Sequence, residues 1–160
     1  MRPTKDAYFV AMARLVATRA TCVRRAVGCV LVNHRGHVLA TGYNGREAGA
    51  AHCNHHDPLH ETGYPFACEG AFAGSGVALD ACEAVHAEQN ALLQCRDPWA
   101  IETCYTTTMP CATCAKLLLN TSCARVVYVE PYPAHAALVA RLWASRALTQ
   151  FHDAKSCAAS

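Results

Sequence analysis

No apolar run in the chain approaches the roughly 20 residues that a helix needs to cross a bilayer. The first nine residues, MRPTKDAYF, lack the charged and then apolar order of a secretion signal. The expectation is a soluble, cytoplasmic protein with no membrane partner. Charge of one sign is scarce as well: the formal net charge is +2, and 16% of residues are charged. That is too little for the clustered positive surface that tracks nucleic acid, and 8% aromatic residues supply no row of stacking rings for a single strand. Internal repeats and low-complexity segments are absent too, so neither a repeat array nor a disordered chain is indicated.

Cysteine, by contrast, is plentiful, with 11 in 160 residues. Without a secretion signal these are not expected to form a disulfide framework. Short spacings in a reducing compartment point to thiolate metal ligands, with redox work as the alternative. A hydrophobic content of 52% in 160 residues suits one domain with a real core and is too short for two comfortable ones. Eleven of the 14 basic residues are arginine. Forked guanidinium groups suit a small phosphorylated ligand, and genome composition accounts for the same bias.

Thr4 is a candidate N-cap for a helix running to about Thr18, with Tyr8, Met12 and Leu15 at helical spacing. Residues 26–33 and 37–43 read as a hairpin turning at Arg35-Gly36. From 45 to 82 no clean periodicity occurs, only Gly, Pro, His and Cys, which is long for a compact domain unless something holds it. Helix 86–95, strand 101–108, helix 111–120, strand 124–130, helix 135–145 and strand 147–151 follow. This alternation predicts one α/β domain over 1–152 around a central sheet, with 45–82 as an insertion and 153–160 as a disordered tail.

Two stretches carry chemistry, CEAVHAEQNALLQC and TTTMPCATCAKLLLN. Cys111 and Cys114 stand at i and i+3, so a helix places both sulfurs on one face. Pro110 precedes them where helices commonly begin, and a helix N-terminus favours thiolates. His86 also opens a helix. Three such ligands leave the fourth position of a catalytic zinc to water, and Glu88, two residues after His86, can move that water's protons without binding the metal. H-x-E followed by P-C-x-x-C is the signature of zinc nucleobase deaminases; a lone C-x-x-C would fit a redox motif or zinc ribbon equally well.

With RRAVGCVLV, ATGYNG, VHAEQNALLQ, MPCATCAKLLLN and RVVYVEPYP in this order, the chain resembles the deoxycytidylate deaminases over about Tyr8 to Pro133. The resemblance implies a three-layer α/β/α cytidine deaminase-like fold with a central mixed five-stranded sheet. It also implies deamination of dCMP to dUMP with release of ammonia, supplying dUMP for thymidylate synthesis. His86, Cys111 and Cys114 match the zinc ligands and Glu88 the general acid/base. Asn44 matches a sugar-holding residue, with an Asn-Gly hairpin turn as the other reading. Arg24 and Arg25 fall near the 5′-phosphate or on a solvated face. Ala87 lies on the substrate side, and Tyr132 is either a substrate-side aromatic or a packing residue. Action on dCTP or 5-methyl-dCMP, and deamination of nucleic acid, are the alternatives.

Some members of that family hold a second, structural zinc. Cys22, Cys53 and Cys82 fall at three of its positions and Cys68 takes the fourth, with His56 and His60 as rivals; four unrelated buried thiols are the alternative. Cys29, Cys95, Cys104 and Cys123 are expected to pack as small apolar residues, and Cys157 to be a free thiol. The resemblance further suggests a homo-oligomer, often a hexamer, with LLLNTSC supplying contacts. Gln94 and Asp97 replace the Phe and Arg that several nucleotide-regulated members carry, so weak regulation by dCTP is expected.

Overall fold

The hydroxyl of Thr4 accepts the Ala7 N–H at 3.1 Å and starts α1 (Lys5–Ala17), which stops at Thr18. In the computed structural model, which describes residues 1–50, 52–53, 70, 73–74, 76–77 and 82–153, the face α1 buries is not the Tyr8/Met12/Leu15 row. Tyr8 and Leu15 are exposed, while Phe9, Val10, Ala13 and Ala17 are buried. The reason is a close backbone approach. A Cβ on Gly28 would collide with the Ala13 carbonyl and the Ala17 N–H, so the small-residue face of the helix sits on the sheet.

Strands β1 (Gly28–Val32) and β2 (Val38–Tyr43) form the expected hairpin. Its turn is closed by the Asn33 side-chain oxygen, which accepts the N–H groups of Arg35 (3.0 Å) and His37 (2.9 Å). With β3 (Thr103–Thr108), β4 (Arg125–Glu130) and β5 (Ala147–Gln150) they make a five-stranded sheet ordered β2-β1-β3-β4-β5. β1 runs antiparallel to β2 and β3, whereas β3, β4 and β5 are parallel. Side chains alternate with the pleat. Val30, Val32, Tyr105 and Val127 face α1, while Cys29, Leu31, Cys104 and Val126 face α2 (Ala87–Gln94), α3 (Ala112–Leu119) and α4 (Pro133–Leu142). The architecture is the expected three-layer α/β/α. No helix among the described residues is long and apolar enough to cross a membrane.

Cys29, Cys95, Cys104 and Cys123 are buried free thiols within or beside these elements; Cys157 lies outside the described residues. Asp153, placed in the expected tail, is instead held by Arg14 through two hydrogen bonds of 3.1 and 2.6 Å, because the residues that follow β5 pass beside α1. Gly45 and Val85 exchange both backbone hydrogen bonds (3.1 and 2.9 Å), and Arg46 pairs with Glu83 at 2.9 Å. The strand that leaves the sheet at 45 and the chain that returns to it are thus pinned together one residue before His86.

The first turn of α1 is tied to the sheet by charge. Arg125 donates to both Asp6 oxygens at 2.9 and 2.7 Å, and the Tyr105 hydroxyl donates to the same carboxylate at 2.8 Å. The Arg125 hydrogen bonds hold the Asp6 carboxyl below its ordinary value. A lowered native value stabilises the fold above the unfolded aspartate pKa of about 4, and that contribution is lost as pH falls through the native value. Asp6→Asn should therefore lower stability by about 1–2 kcal/mol at pH 7, with the difference from wild type narrowing as pH drops below about 4. Urea unfolding across that range reads it.

Candidate active site

Helices α2 and α3 were expected to include His86 and Cys111. Both residues stand one step outside, as extended N-caps. Gln89 Oε1 accepts the His86 N–H at 2.9 Å, fixing the entry to α2. An N-cap side chain can lie across the end of its helix, and here two helix ends meet at the carboxyl end of β3, where open α/β sheets bind ligands. Cys111 Sγ and Cys114 Sγ each lie 3.4 Å from His86 Nδ1. The three donor atoms fall within 4.8 Å of one another, and among the described residues they are the one group of three or more potential metal donors.

That spacing fits zinc. Bonds of about 2.3 Å to sulfur and about 2.0–2.1 Å to nitrogen at tetrahedral angles separate a sulfur and a nitrogen donor by about 3.6 Å. The donors are also electrically prepared. Hydrogen bonding from Cys114 and His86 draws the Cys111 thiol down to about 4, making it a thiolate at neutral pH. That thiolate, together with burial, pushes the Cys114 thiol up, and it raises His86 by favouring the imidazolium. Glu88 is 4% exposed, and burial lifts its carboxyl to about 7.

These groups open onto a cavity of about 480 Å³ lined by His86, Ala87, Glu88 and Cys111 on one side and by Asn44, Arg24, Arg25 and Tyr132 on the other. Thr108 and Met109, at the end of β3, also line it; they lie in the TTTMPCATCAKLLLN stretch but were not singled out as site residues. Asn44 is not in a hairpin turn. It follows β2, and its amide donates to the Arg25 carbonyl at 2.6 Å while its oxygen accepts the Val27 N–H at 2.8 Å. Arg24 Nη2 donates to the carbonyls of Gly74 (2.7 Å) and Val77 (3.2 Å), clamping that stretch over the cavity. The Arg25 guanidinium lies 5.9 Å from the centre of the buried Tyr132 ring.

Cys22 and Cys82 also line the cavity and Cys53 is buried. These three do not form a donor group of their own among the described residues. Cys68, His56 and His60 lie outside those residues.

A mixed sheet layered by helices, with one imidazole and two thiols at converging helix starts, defines a metal-binding α/β domain with room for a further ligand. The chain belongs to the cytidine and deoxycytidylate deaminases: the profile of their zinc-binding region matches residues 3–130. It is 42% identical over 134 residues to the deoxycytidylate deaminase of Schizosaccharomyces pombe, covering 82% of this chain and 38% of that one. To the deoxycytidylate deaminase of Mycobacterium phage D29 it is 41% identical, over 79% of this chain and 95% of that one. The chain thus spans well under half the length of the fission-yeast relative and nearly all of the phage one. The dCMP deaminase of cyanophage S-TIM5, crystallised with dCMP and dUMP, shares the fold, with a TM-score of 0.64 at 23% identity over 94% of this chain and 99% of that one.

Glycine decides how close the donor-bearing helix comes. A Cβ on Gly42 would run into the Ala87 carbonyl and the Ala91 N–H, both backbone groups of α2 that no side-chain rotation can move. Ala87 and Ala91 are themselves fully buried, so α2 has no softer contact to yield. Gly42→Ala should destabilise the fold by about 1–3 kcal/mol through this overpacking and loosen metal retention, because displacing α2 carries His86 away from Cys111 and Cys114. Thermal unfolding with metal analysis after dialysis checks both.

Proposed function

We propose that the chain catalyses hydrolysis of dCMP to dUMP and ammonia, supplying dUMP for thymidylate synthesis. The observation that carries the reading is Glu88. It is an almost fully buried carboxyl facing the same cavity as His86 and Cys111, two of the three potential metal donors, without being one of them. Burying a carboxyl is costly, and the hydrogen bond with Cys114 offsets that only in part, since burial still raises Glu88 above its ordinary value. Family membership supports the reading, as do relatives named deoxycytidylate deaminase at 41–42% identity. A cavity of about 480 Å³ suits a mononucleotide.

In this reading His86, Cys111 and Cys114 hold one zinc ion, which when bound lowers the pKa of a coordinated water to about 7 and so supplies a nucleophile at neutral pH. Glu88 takes one proton from the attacking water and delivers it to N3 of cytosine, then takes the second from the new C4 hydroxyl and passes it to the departing amine. A C4–O bond forms, the C4–N bond breaks, and ammonia leaves. Ala87 floors the base pocket, and Tyr132 walls it beneath Arg25, which takes the 5′-phosphate. Asn44 orients the 25–27 backbone and keeps one donor and one acceptor site for the sugar. Arg24 serves the wall more than the phosphate, because its Nη2 is committed to Gly74 and Val77.

A second, structural zinc on Cys22, Cys53, Cys82 and Cys68, with His56 or His60 in place of the last, would secure the 45–82 segment whose ends are pinned at Gly45 and Val85. Reduced thiols in both sites suit the cytoplasm. A homo-oligomer would cover the exposed apolar side chains of Leu93, Trp99 and Leu117, and a hexamer is the state that the family resemblance suggests.

The test of function incubates the protein with CMP, dCMP, 5-methyl-dCMP, dCTP and deoxycytidine and follows ammonia, with dCMP expected to be the best substrate. Failure on every cytosine compound would overturn the reading. Glu88→Gln should keep its zinc and bind dCMP while turnover falls by at least about 10²–10⁴-fold; near-normal turnover would remove Glu88 from the mechanism. Metal analysis should find about two zinc ions per wild-type chain, with one lost in the Cys111→Ser, Cys114→Ser double variant and the other in Cys53→Ser, which should also melt earlier.

A further inference from the structure

His135 lies in the first turn of α4, where nothing in the sequence marks it. Its Nδ1 accepts the Ala112 N–H at 2.9 Å. Ala112 is the first residue of α3 and follows Cys111 directly, so its N–H is among the helix amides that have no intrahelical partner. Cys111 cannot serve it, since the Cys111 sulfur faces His86 Nδ1 and the Cys114 N–H. The same imidazole packs on the Tyr132 ring, with centroids 5.0 Å apart, and Tyr132 in turn lies against Arg25 at the cavity wall. One side chain therefore joins the backbone that aims a thiol donor to the wall of the cavity. We infer that His135 is a positioning residue: by holding the Ala112 N–H it sets the direction of Cys111 Sγ and so how tightly the His86–Cys111–Cys114 group retains its metal. The inference rests on the zinc reading given above.

Two exchanges at position 135 separate the hydrogen bond from simple packing. His135→Leu keeps bulk against Tyr132 but removes the acceptor. His135→Asn loses bulk but sets Oδ1 close to where Nδ1 stands. The experiment loads each purified protein with zinc, adds excess EDTA, and follows release of the ion that the Cys111→Ser, Cys114→Ser variant lacks. Cobalt-substituted samples report the thiolate coordination by their visible spectrum. His135→Leu should release zinc at least about tenfold faster than wild type, the lower end of what supporting residues around metal ligands contribute, and should shift the cobalt bands; His135→Asn should stay close to wild type in both. Release from His135→Leu at the wild-type rate would overturn the inference, as would equal acceleration in the two variants, which would make ring packing the cause. A wild-type protein that holds no zinc on this group would overturn the zinc reading itself.

Discussion

Two helix N-termini must meet at the carboxyl end of β3, and the rest of the structure serves that meeting. His86 and Cys111 are the N-caps of α2 and α3, and their donor atoms come within 3.4 Å only because both helices lie on the same face of the sheet. Each helix end carries partial positive charge that favours thiolate. α3 reaches the place by following β3 over a single bend at Met109 and Pro110. α2 reaches it by resting its backbone on Gly42, and the Gly45–Val85 bridge fixes where the chain re-enters. α1, on the opposite face, contributes no group to the site. Its role is to cover the other half of the pleat through Phe9, Val10 and Ala13.

The same convergence explains the electrostatics. Two thiols, an imidazole and a carboxyl share a small, largely buried volume, so each shifts the others. Cys111 becomes the thiolate because it receives hydrogen bonds from both neighbours, and Cys114 resists ionising beside it. A cation on these donors relieves the repulsion and draws the Glu88 carboxyl back toward its ionised form. The unfavourable burial of Glu88 and the chemistry proposed for it are thus one feature of the fold. Around the centre, polar side chains that would otherwise meet substrate are partly used on the wall: Asn44 on the 25–27 backbone, and Arg24 on Gly74 and Val77.

The chemistry of the site was legible because it is local. His86 and Glu88 are two residues apart, Cys111 and Cys114 three, and the side-chain types with that spacing already name three donors and a carboxyl beside them. The strands and helices were legible for the same reason, since period-2 and period-3.6 patterns are written within single segments; their ends moved, by a residue or two at most of them, and in α4 by two residues at its start, where Pro133 opens the helix, and three at its end. What the letters could not show was partnership across distance. The face α1 buries is chosen by Gly28 on β1. The role of Arg24 depends on carbonyls 50 residues away, and that of His135 on an amide 23 residues away. The sequence by itself determined which side chains gather as potential metal donors with a carboxyl beside them, and the class of fold that carries them, because both depend on neighbours a few residues apart. The tertiary structure alone decided which helix face packs, which of the two cavity arginines is bound to backbone carbonyls and which histidine accepts the Ala112 N–H, because sheet register and helix docking select those contacts.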